Sequence, residues 1–271
     1  MKEILSCPVC ARSLTREERK YTCPAGHSFD VSRQGYVNLL LGKSATVHGD
    51  NAMMIASRRR FLSRGYYAPL AETLCEMLTA HVREGATVLD VGCGEGYYTE
   101  HVSRTVTPRD GTVYAFDISK DALKATAGRK CATLFVAGAY KMPVLTSSVD
   151  AATLLFSPFC REELLRVLAP EGILLLAYPG ERHLFGLKQA IYETPYLNRP
   201  EPTEIEGFAL LEKRDVSFEI TLSSPEAIGD LFKMTPYYYK TGERDQAKLA
   251  SLSSLQTEVA FHLCAYKKII P

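Results

Sequence analysis

Four residues near the amino terminus have the types and spacing of a metal site: Cys7-x2-Cys10-x12-Cys23-x3-His27. Soft thiolates with one imidazole, in two closely spaced pairs, are what a tetrahedral zinc centre requires. Each pair sits on a tight turn, CPVC with Pro8 and CPAGH with Pro24 and Gly26, so both side chains of a pair can converge on one ion. Four protein ligands leave no open coordination position, and the zinc is therefore expected to be structural. It would stabilise a stretch of 35 residues too poor in apolar side chains to bury a core of its own. The competing readings are four unrelated residues and a redox CxxC, the latter disfavoured because no thioredoxin-like βαβ pattern surrounds the pair. Cys75, Cys93, Cys131 and Cys160, with His81, His101 and His262, show no such grouping and read as core or surface residues.

The second constellation is V-L-D-V-G-C-G-E-G over residues 88–96, in which Asp90, Gly92, Gly94 and Gly96 are spaced two apart. It follows a predicted strand and opens a predicted helix, the setting in which a glycine loop binds a ligand. The spacing departs from the dinucleotide fingerprint G-x-G-x-x-G and resembles motif I of class I S-adenosylmethionine-dependent methyltransferases. Glycines there let the backbone approach the methionine part of the cofactor, and a cationic sulfonium favours a nearby carboxylate such as Asp90. Asp117 ends the next predicted strand, 21 residues after Gly96, where a carboxylate can accept both ribose hydroxyls. Its competing role is a helix N-cap, for which Ser119 is also available. A nicotinamide site and a glycine turn without a ligand are the other readings of the loop. Residues 139–143, AYKMP, follow the third strand, where such enzymes contact adenine.

The elements that must position these residues are legible from about residue 69 onward. Strands TVLDV, TVYAFD, ATLFVA, AATLLF and GILLLAY alternate with amphipathic helical stretches, which argues for a parallel sheet covered by helices on both faces. FALLEKRDVSFEITL and AFHLCAYKKII supply the last strands. The expected fold class is α/β: a Rossmann-like class I methyltransferase with a mostly parallel seven-stranded sheet, preceded by a small zinc-ribbon-like module. The expected division is a zinc-binding module at 1–35, a basic helical linker at 36–68 with a flexible stretch at 42–50, and the methyltransferase domain at 69–271. The chain of 271 residues is 46% hydrophobic and 23% charged, which excludes a disordered or fibrous class. Its apolar runs are too short for a membrane span and no secretory apolar region is visible, so a cytoplasmic, non-membrane protein is expected. In such a compartment eight cysteines are not a disulfide framework. The net charge of +1 conceals an asymmetry: residues 1–64 hold 11 Lys/Arg against 5 Asp/Glu. A basic end suits a polyanionic partner or a solvated helical face.

Zinc module and glycine loop together resemble one family nearly end to end, the bacterial 23S rRNA (guanine-N1)-methyltransferases. The matching segments are CPxC, CPxxHxFD at 23–30, GYVNLL at 35–40, RRxFL at 58–62, GxYxPL at 65–70 and LDVGCGEGYYT at 89–99. Further matches are PGxRHL at 179–184, LKxxIY at 187–192 and MTP at 234–236. The resemblance implies structural zinc on Cys7, Cys10, Cys23 and His27, and S-adenosylmethionine contacts from Tyr67, Gly94, Glu95 and His183. Read from the residues alone, Tyr67 is equally a core aromatic and His183 a surface or capping histidine. The resemblance also implies a homodimer that takes a 23S rRNA hairpin into a cleft, with the zinc modules on the RNA. The implied reaction is methyl transfer to N1 of a guanine, whose Watson–Crick edge must be unpaired and presented to the pocket. No residue declares itself the general base; Ser157, in the FSPF segment at 156–159, and His183 are the candidates for orienting the guanine. Arg58, Arg59, Arg60 and Arg64 are expected on phosphates, making affinity fall steeply with salt. The tyrosines at 237–239 suit base stacking or a buried aromatic cluster. The alternatives are a class I methyltransferase acting on a small molecule, with zinc as a structural appendage, and a zinc-dependent RNA-binding protein that has kept a cofactor fold. FSPF, YYYK after MTP and the absence of tryptophan depart from the family's pattern and leave the target guanine open.

Overall fold

A computed structural model describes residues 3–42, 49–199 and 202–269. The amino-terminal module is a three-stranded antiparallel sheet of β1 (Thr15–Glu17), β2 (Lys20–Thr22) and β3 (Ser28–Asp30), in that order. Its strands are three residues long and mostly exposed, so this sheet cannot hold itself together by burial.

The rest of the chain builds an eight-stranded sheet. Its elements in chain order are β4 (Tyr36–Asn38), α1 (Ala52–Ser63), α2 (Ala68–His81), β5 (Thr87–Val91), α3 (Tyr97–Val106), β6 (Thr112–Asp117), α4 (Lys120–Ala127) and β7 (Thr133–Val136). They continue with β8 (Val149–Leu155), α5 (Arg161–Val167), β9 (Leu168–Pro179), α6 (Phe185–Ile191), β10 (Phe208–Leu222), α7 (Pro225–Lys233), α8 (Glu243–Ala250) and β11 (Leu255–Lys268). The strand order is β10-β11-β9-β8-β5-β6-β7-β4, parallel from β9 to β4, with the β10–β11 and β11–β9 pairings antiparallel. β5 lies at the centre and is buried at all five positions, as a strand covered on both faces must be. β6 and β7 proceed from it in one direction, β8 and β9 in the other. The β5–β8 boundary is therefore the topological switch point, and a crevice opens there at the carboxyl ends of the strands. Among the described residues no helix is long and apolar enough to cross a membrane.

The strand count of seven is corrected to eight. The additional strand is β4, from the segment expected to be a helical linker, which pairs in parallel with β7 through Val37 opposite Phe135. Val37 and Leu39 are buried there, so their apolar side chains belong to the sheet's core. Helix α1 does fall in the expected basic stretch, capped by the Asn51 side chain, which accepts from Met54 N at 3.0 Å. Of the stretch expected to be flexible, positions 43–48 lie outside the described residues, while Gly49 and Asp50 pack against Ile118 and Ser119.

The zinc-type module is also sewn to the main sheet's own structure. Leu5 bridges Val144 antiparallel; Ser6 N donates to Pro143 O at 2.9 Å, and Leu145 N to Ile4 O at 2.8 Å. Ile4, Leu5 and Leu14 are fully buried in one cluster with Tyr114, Phe116 and Phe135 of the main sheet. The receiving segment is held from behind by Arg166, which donates to Val144 O at 2.6 Å and Met142 O at 2.9 Å and pairs with Glu163. Each fully buried leucine contributes about 1.5–3 kcal/mol, so the seam is a substantial part of the chain's stability. A module sharing its core with the sheet should not melt separately. Chelation of zinc, or Cys7→Ser, is expected to lower a single cooperative thermal transition followed at once by circular dichroism and tyrosine fluorescence. Two resolved transitions would show the seam to be weak.

Candidate functional site

Cys7, Cys10, Cys23 and His27 converge as the spacing required, with their ligand atoms all within 4.8 Å of one another. The Cys7 Sγ to His27 Nδ1 distance is 3.5 Å, Cys23 Sγ to His27 Nδ1 3.3 Å, and Cys10 Sγ to Cys23 Sγ 3.7 Å. Zinc bonds of about 2.3 Å to sulfur and 2.0 Å to nitrogen give tetrahedral edges of roughly 3.5–3.8 Å, so the residues fit the ion. At Cys23 desolvation raises the thiol pKa, but the amides of Ala25 and His27 and the His27 ring outweigh it and draw it down to about 6. A thiolate is the form that binds metal.

The glycine loop leaves the end of β5 and faces the end of β8 across the switch point. Gly92 has φ +73°, and a Cβ there would come within 2.2 Å of Ser157 Oγ, so neither conformation nor space admits another residue. Asp90 is almost fully buried and accepts from Thr99 Oγ1 at 2.6 Å and Thr153 Oγ1 at 2.9 Å. Of the residues expected on the cofactor, it is the one that does not line the cavity; its carboxylate ties α3 and β8 to β5. Burial, against those two hydrogen bonds, raises its pKa to about 6. Glu95 lines the cavity, but its carboxylate is engaged by Arg129 Nη2 at 2.5 Å and Tyr97 N at 3.1 Å. Asp117 accepts from Gly94 N at 3.0 Å and Ser119 N at 2.8 Å. It remains on the cavity wall with lone pairs to spare, while Ser119 caps α4. The sequence left the capping role open between these two, and the structure assigns it to Ser119.

Gly92, Gly94, Glu95 and Asp117, with Cys7 and Cys10, line one cavity of about 1340 Å³ that runs from the zinc module to the sheet's carboxyl edge. Its far wall holds Tyr67, His183 and Phe261: Tyr67 lies edge-on to Phe261 at 5.1 Å between ring centres, and His183 is 4.4 Å from Phe261. The Ala260 amide donates to His183 Nδ1 at 3.4 Å. Burial, and next the Lys188 charge, push the His183 pKa down to about 3, so the ring is neutral at physiological pH. So weak a base suits a wall and hydrogen-bonding role better than proton abstraction. Phe156, beside Ser157, has φ +62° and is half exposed. A phenylalanine in the left-handed region is strained, and such strain collects at functional sites. Ala139, Tyr140 and Met142 of the expected adenine stretch line the same cavity, Tyr140 exposed at its mouth.

Three of the four arginines expected on phosphates have an acidic neighbour in the fold, while Arg60 and Arg64 stay exposed. Arg60 donates to the buried Asp230 carboxylate from Nε at 3.0 Å and Nη2 at 2.6 Å, and Arg64 lies 4.0 Å from the same group. Arg58 turns inward to pair with Asp50 and donates to Met234 O at 3.3 Å, and its guanidinium stands 3.5 Å from where a Gly94 Cβ would be. Helix α1 packs on α7 and along the cofactor loop, and a buried aspartate there needs a counter-ion that water cannot replace. Of these four arginines, Arg59 alone has no ion-pair partner among the described residues. The aromatic cluster divides too: Tyr237 lines the cavity, Tyr238 packs on Phe232 at 5.5 Å, and the Tyr239 hydroxyl accepts from Asn51. Arg58, Asp50 and Tyr98 join the cavity wall although no motif had marked them for it. Tyr98, just after the glycine loop, and Arg58, which opens RRxFL, lay in recognisable segments; Asp50 carried no signal.

Residues 5–42 match the family model described as "RlmA, N-terminal", and residues 88–172 the model "Methyltransferase domain". A protein of Streptomyces fradiae named 23S rRNA (guanine(748)-N(1))-methyltransferase is 35% identical over 191 residues, covering 69% of this chain and 67% of its own. One from Micromonospora griseorubida, provisionally named a 23S rRNA (guanine-N(1)-)-methyltransferase, is 37% identical over 203 residues, 68% of each chain. Among solved structures, a provisionally titled type II methyltransferase from Anaeromyxobacter dehalogenans superposes with a TM-score of 0.53 at 19% identity, covering 73% of this chain and 96% of its own. It shares the fold.

Two outcomes follow from this geometry. Arg60→Ala should cost about 1–3 kcal/mol in denaturant unfolding because Asp230 loses its charged donors, whereas Arg59→Ala should leave stability unchanged and lower the salt slope of RNA binding by about one. Asp90, with its pKa raised on folding, binds more protons folded than unfolded between about pH 4 and 6, so it lowers stability as pH rises through that window. Stability of Asp90→Asn relative to the parent should therefore improve from pH 4 to pH 7 by about 3 kcal/mol, for a shift of about two units; a flat difference would show Asp90 to be ionised throughout.

Proposed function

Since the chain belongs to the 23S rRNA (guanine-N1)-methyltransferase family, we propose that its cavity presents a hairpin-loop guanine of that RNA to S-adenosylmethionine at the β5–β8 crevice. The reaction is S-adenosylmethionine-dependent methylation of guanine N1 in 23S rRNA. When bound, the cofactor supplies an electrophilic methyl group on a cationic sulfur. The observation that carries the substrate side of the reading is the strained, half-exposed Phe156 beside Ser157, directly across the switch point from Gly92. A planar base stacked on that ring would hold its edge toward the glycine loop.

The chain's own groups divide the work. Asp117 accepts from the ribose hydroxyls, Gly92 and Gly94 let the backbone approach, and Tyr67 and His183 close the far wall against water. Ser157 and the neutral His183 orient the guanine rather than take its proton. The N1 proton leaves to an acceptor outside these groups, and catalysis rests on alignment and exclusion of water. Zinc on Cys7, Cys10, Cys23 and His27 holds the module that forms the cavity's outer lip. The protein acts in the cytoplasm as a homodimer, the second copy completing a cleft wide enough for a hairpin.

The test is transfer of labelled methyl from S-adenosylmethionine to 23S rRNA lacking the modification, followed by primer extension. The expected result is a stop one nucleotide before a single hairpin guanine, because N1-methylguanine cannot form a Watson–Crick pair. Incorporation into a small-molecule fraction, with none into RNA, would overturn the reading. Sedimentation at micromolar concentration tests the dimer.

A further inference from the structure

The fold sorts the three tyrosines that follow MTP, and the last of them serves neither wall nor core. Tyr237 lines the cavity and Tyr238 packs on Phe232, whereas Tyr239 is 61% exposed. A single exposed aromatic side chain is ordinary on a protein surface, but an immobilised one is not. Asn51 Nδ2 donates to the Tyr239 hydroxyl at 2.8 Å, and the hydroxyl donates to Met54 Sδ at 3.3 Å. The Asn51 amide is itself oriented, because its Oδ1 caps α1 by accepting from Met54 N at 3.0 Å. The Tyr238 ring stands 5.3 Å from the Tyr239 ring and nearly perpendicular to it, at 80°. Tyr239 is thus pinned at its hydroxyl and braced at its flank, with the rest of its ring open to solvent.

Both anchors run directly into the cavity wall. Asn51 follows Gly49 and Asp50, and Tyr239 comes shortly after Met234, Thr235, Pro236 and Tyr237, all six of which line the cavity. The ring therefore stands at the rim, outside the pocket but next to it. Lys240, the following residue, is exposed, and so is Arg59 on α1, the helix that the Asn51 cap begins. An open aromatic face among exposed cations suits an unstacked nucleotide, whose base can stack while its phosphate meets a charge.

We propose that Tyr239 is a stacking platform for an unpaired loop nucleotide flanking the target guanine, and that it sets the register in which the hairpin meets the cavity. The proposal rests on the RNA-methyltransferase reading above. A flipped guanine leaves its neighbour without a stacking partner, and an aromatic ring at the rim replaces it. Stacking tolerates any base, so the ring contributes affinity and placement rather than sequence choice. A ring already held by Asn51 and Met54 loses little conformational freedom when a base lies on it.

The experiment uses the whole chain and a synthetic hairpin carrying the guanine mapped by primer extension. Tyr239→Ala is expected to weaken hairpin binding about ten- to a hundredfold and to raise KM for RNA in step. Its affinity for S-adenosylhomocysteine and the salt slope of its RNA binding should match wild type, since the ring contacts neither cofactor nor phosphate. Tyr239→Phe and Tyr239→Trp keep a ring and should bind within a few fold of wild type. The chain has no tryptophan of its own, so emission from Tyr239→Trp reports on this position alone, and saturating hairpin should quench it. That variant decides the matter by itself if Tyr239→Ala does not fold.

Unchanged hairpin affinity in Tyr239→Ala, or tryptophan emission indifferent to a hairpin that binds, would overturn the proposal. A loss in Tyr239→Phe as large as in Tyr239→Ala would overturn it as well, by showing that the hydroxyl's hold on α1 matters and the ring does not. So would a changed sedimentation of Tyr239→Ala, which would put the ring in a subunit interface. Wild type that methylates no 23S rRNA would instead refute the reading on which the proposal stands, and the proposal with it.

Discussion

The site is organised by one buried carboxylate. Asp90, next to last in the central strand, spends its two oxygens on Thr99 of α3 and Thr153 of β8. Strand, following helix and neighbouring strand are thereby joined at the point where the strand order reverses. Desolvating a carboxylate is unfavourable, and the two hydroxyl donors offset only part of the cost. What results is a fixed distance between the glycine loop and the β8 loop, so close that Gly92 has no room for a Cβ beside Ser157. Cofactor and substrate sides of the cavity inherit their relative placement from this contact.

A second constraint couples the metal to the sheet. The zinc module has almost no core, so it borrows one: Ile4, Leu5 and Leu14 insert among the aromatic residues of β6 and β7. β4, next along the chain, extends the same sheet at its edge. The metal thus contributes to the outer lip of the cavity rather than to a tethered appendage. The seam holds the module at a fixed distance from the crevice, which a flexible linker could not do.

Charge is used differently from what its distribution along the chain suggests. Arg58 and Arg60 sit in the basic run, yet one spans the cofactor loop and the other neutralises a buried aspartate 170 residues away. Arg60 nevertheless keeps more than half of its side chain exposed while it holds Asp230. Lys188 shows the same economy: fully buried, it is held by Tyr196 O at 3.0 Å and Asn198 Oδ1 at 2.6 Å and sits over the Tyr196 ring at 4.3 Å.

The sequence alone determined whatever depends on local spacing. Four zinc ligands on two short turns, a glycine loop between strand and helix, an acidic residue ending the next strand and a βα alternation are each set within about thirty residues, where chain geometry leaves few alternatives. Tyr67, Glu95, Asp117 and His183 were legible for that reason and for their place in recognisable segments, and all four line the cavity. Only tertiary structure decided the rest. That Asp90 faces two threonines instead of the ligand, that β4 becomes an eighth strand, that Arg60 holds Asp230 and that Tyr98 keeps a bare hydroxyl all depend on how segments distant in the chain pack together. A residue's type limits which bonds it can make, but which of them it makes is set by what packing brings within about 3 Å, and no local pattern carries that information.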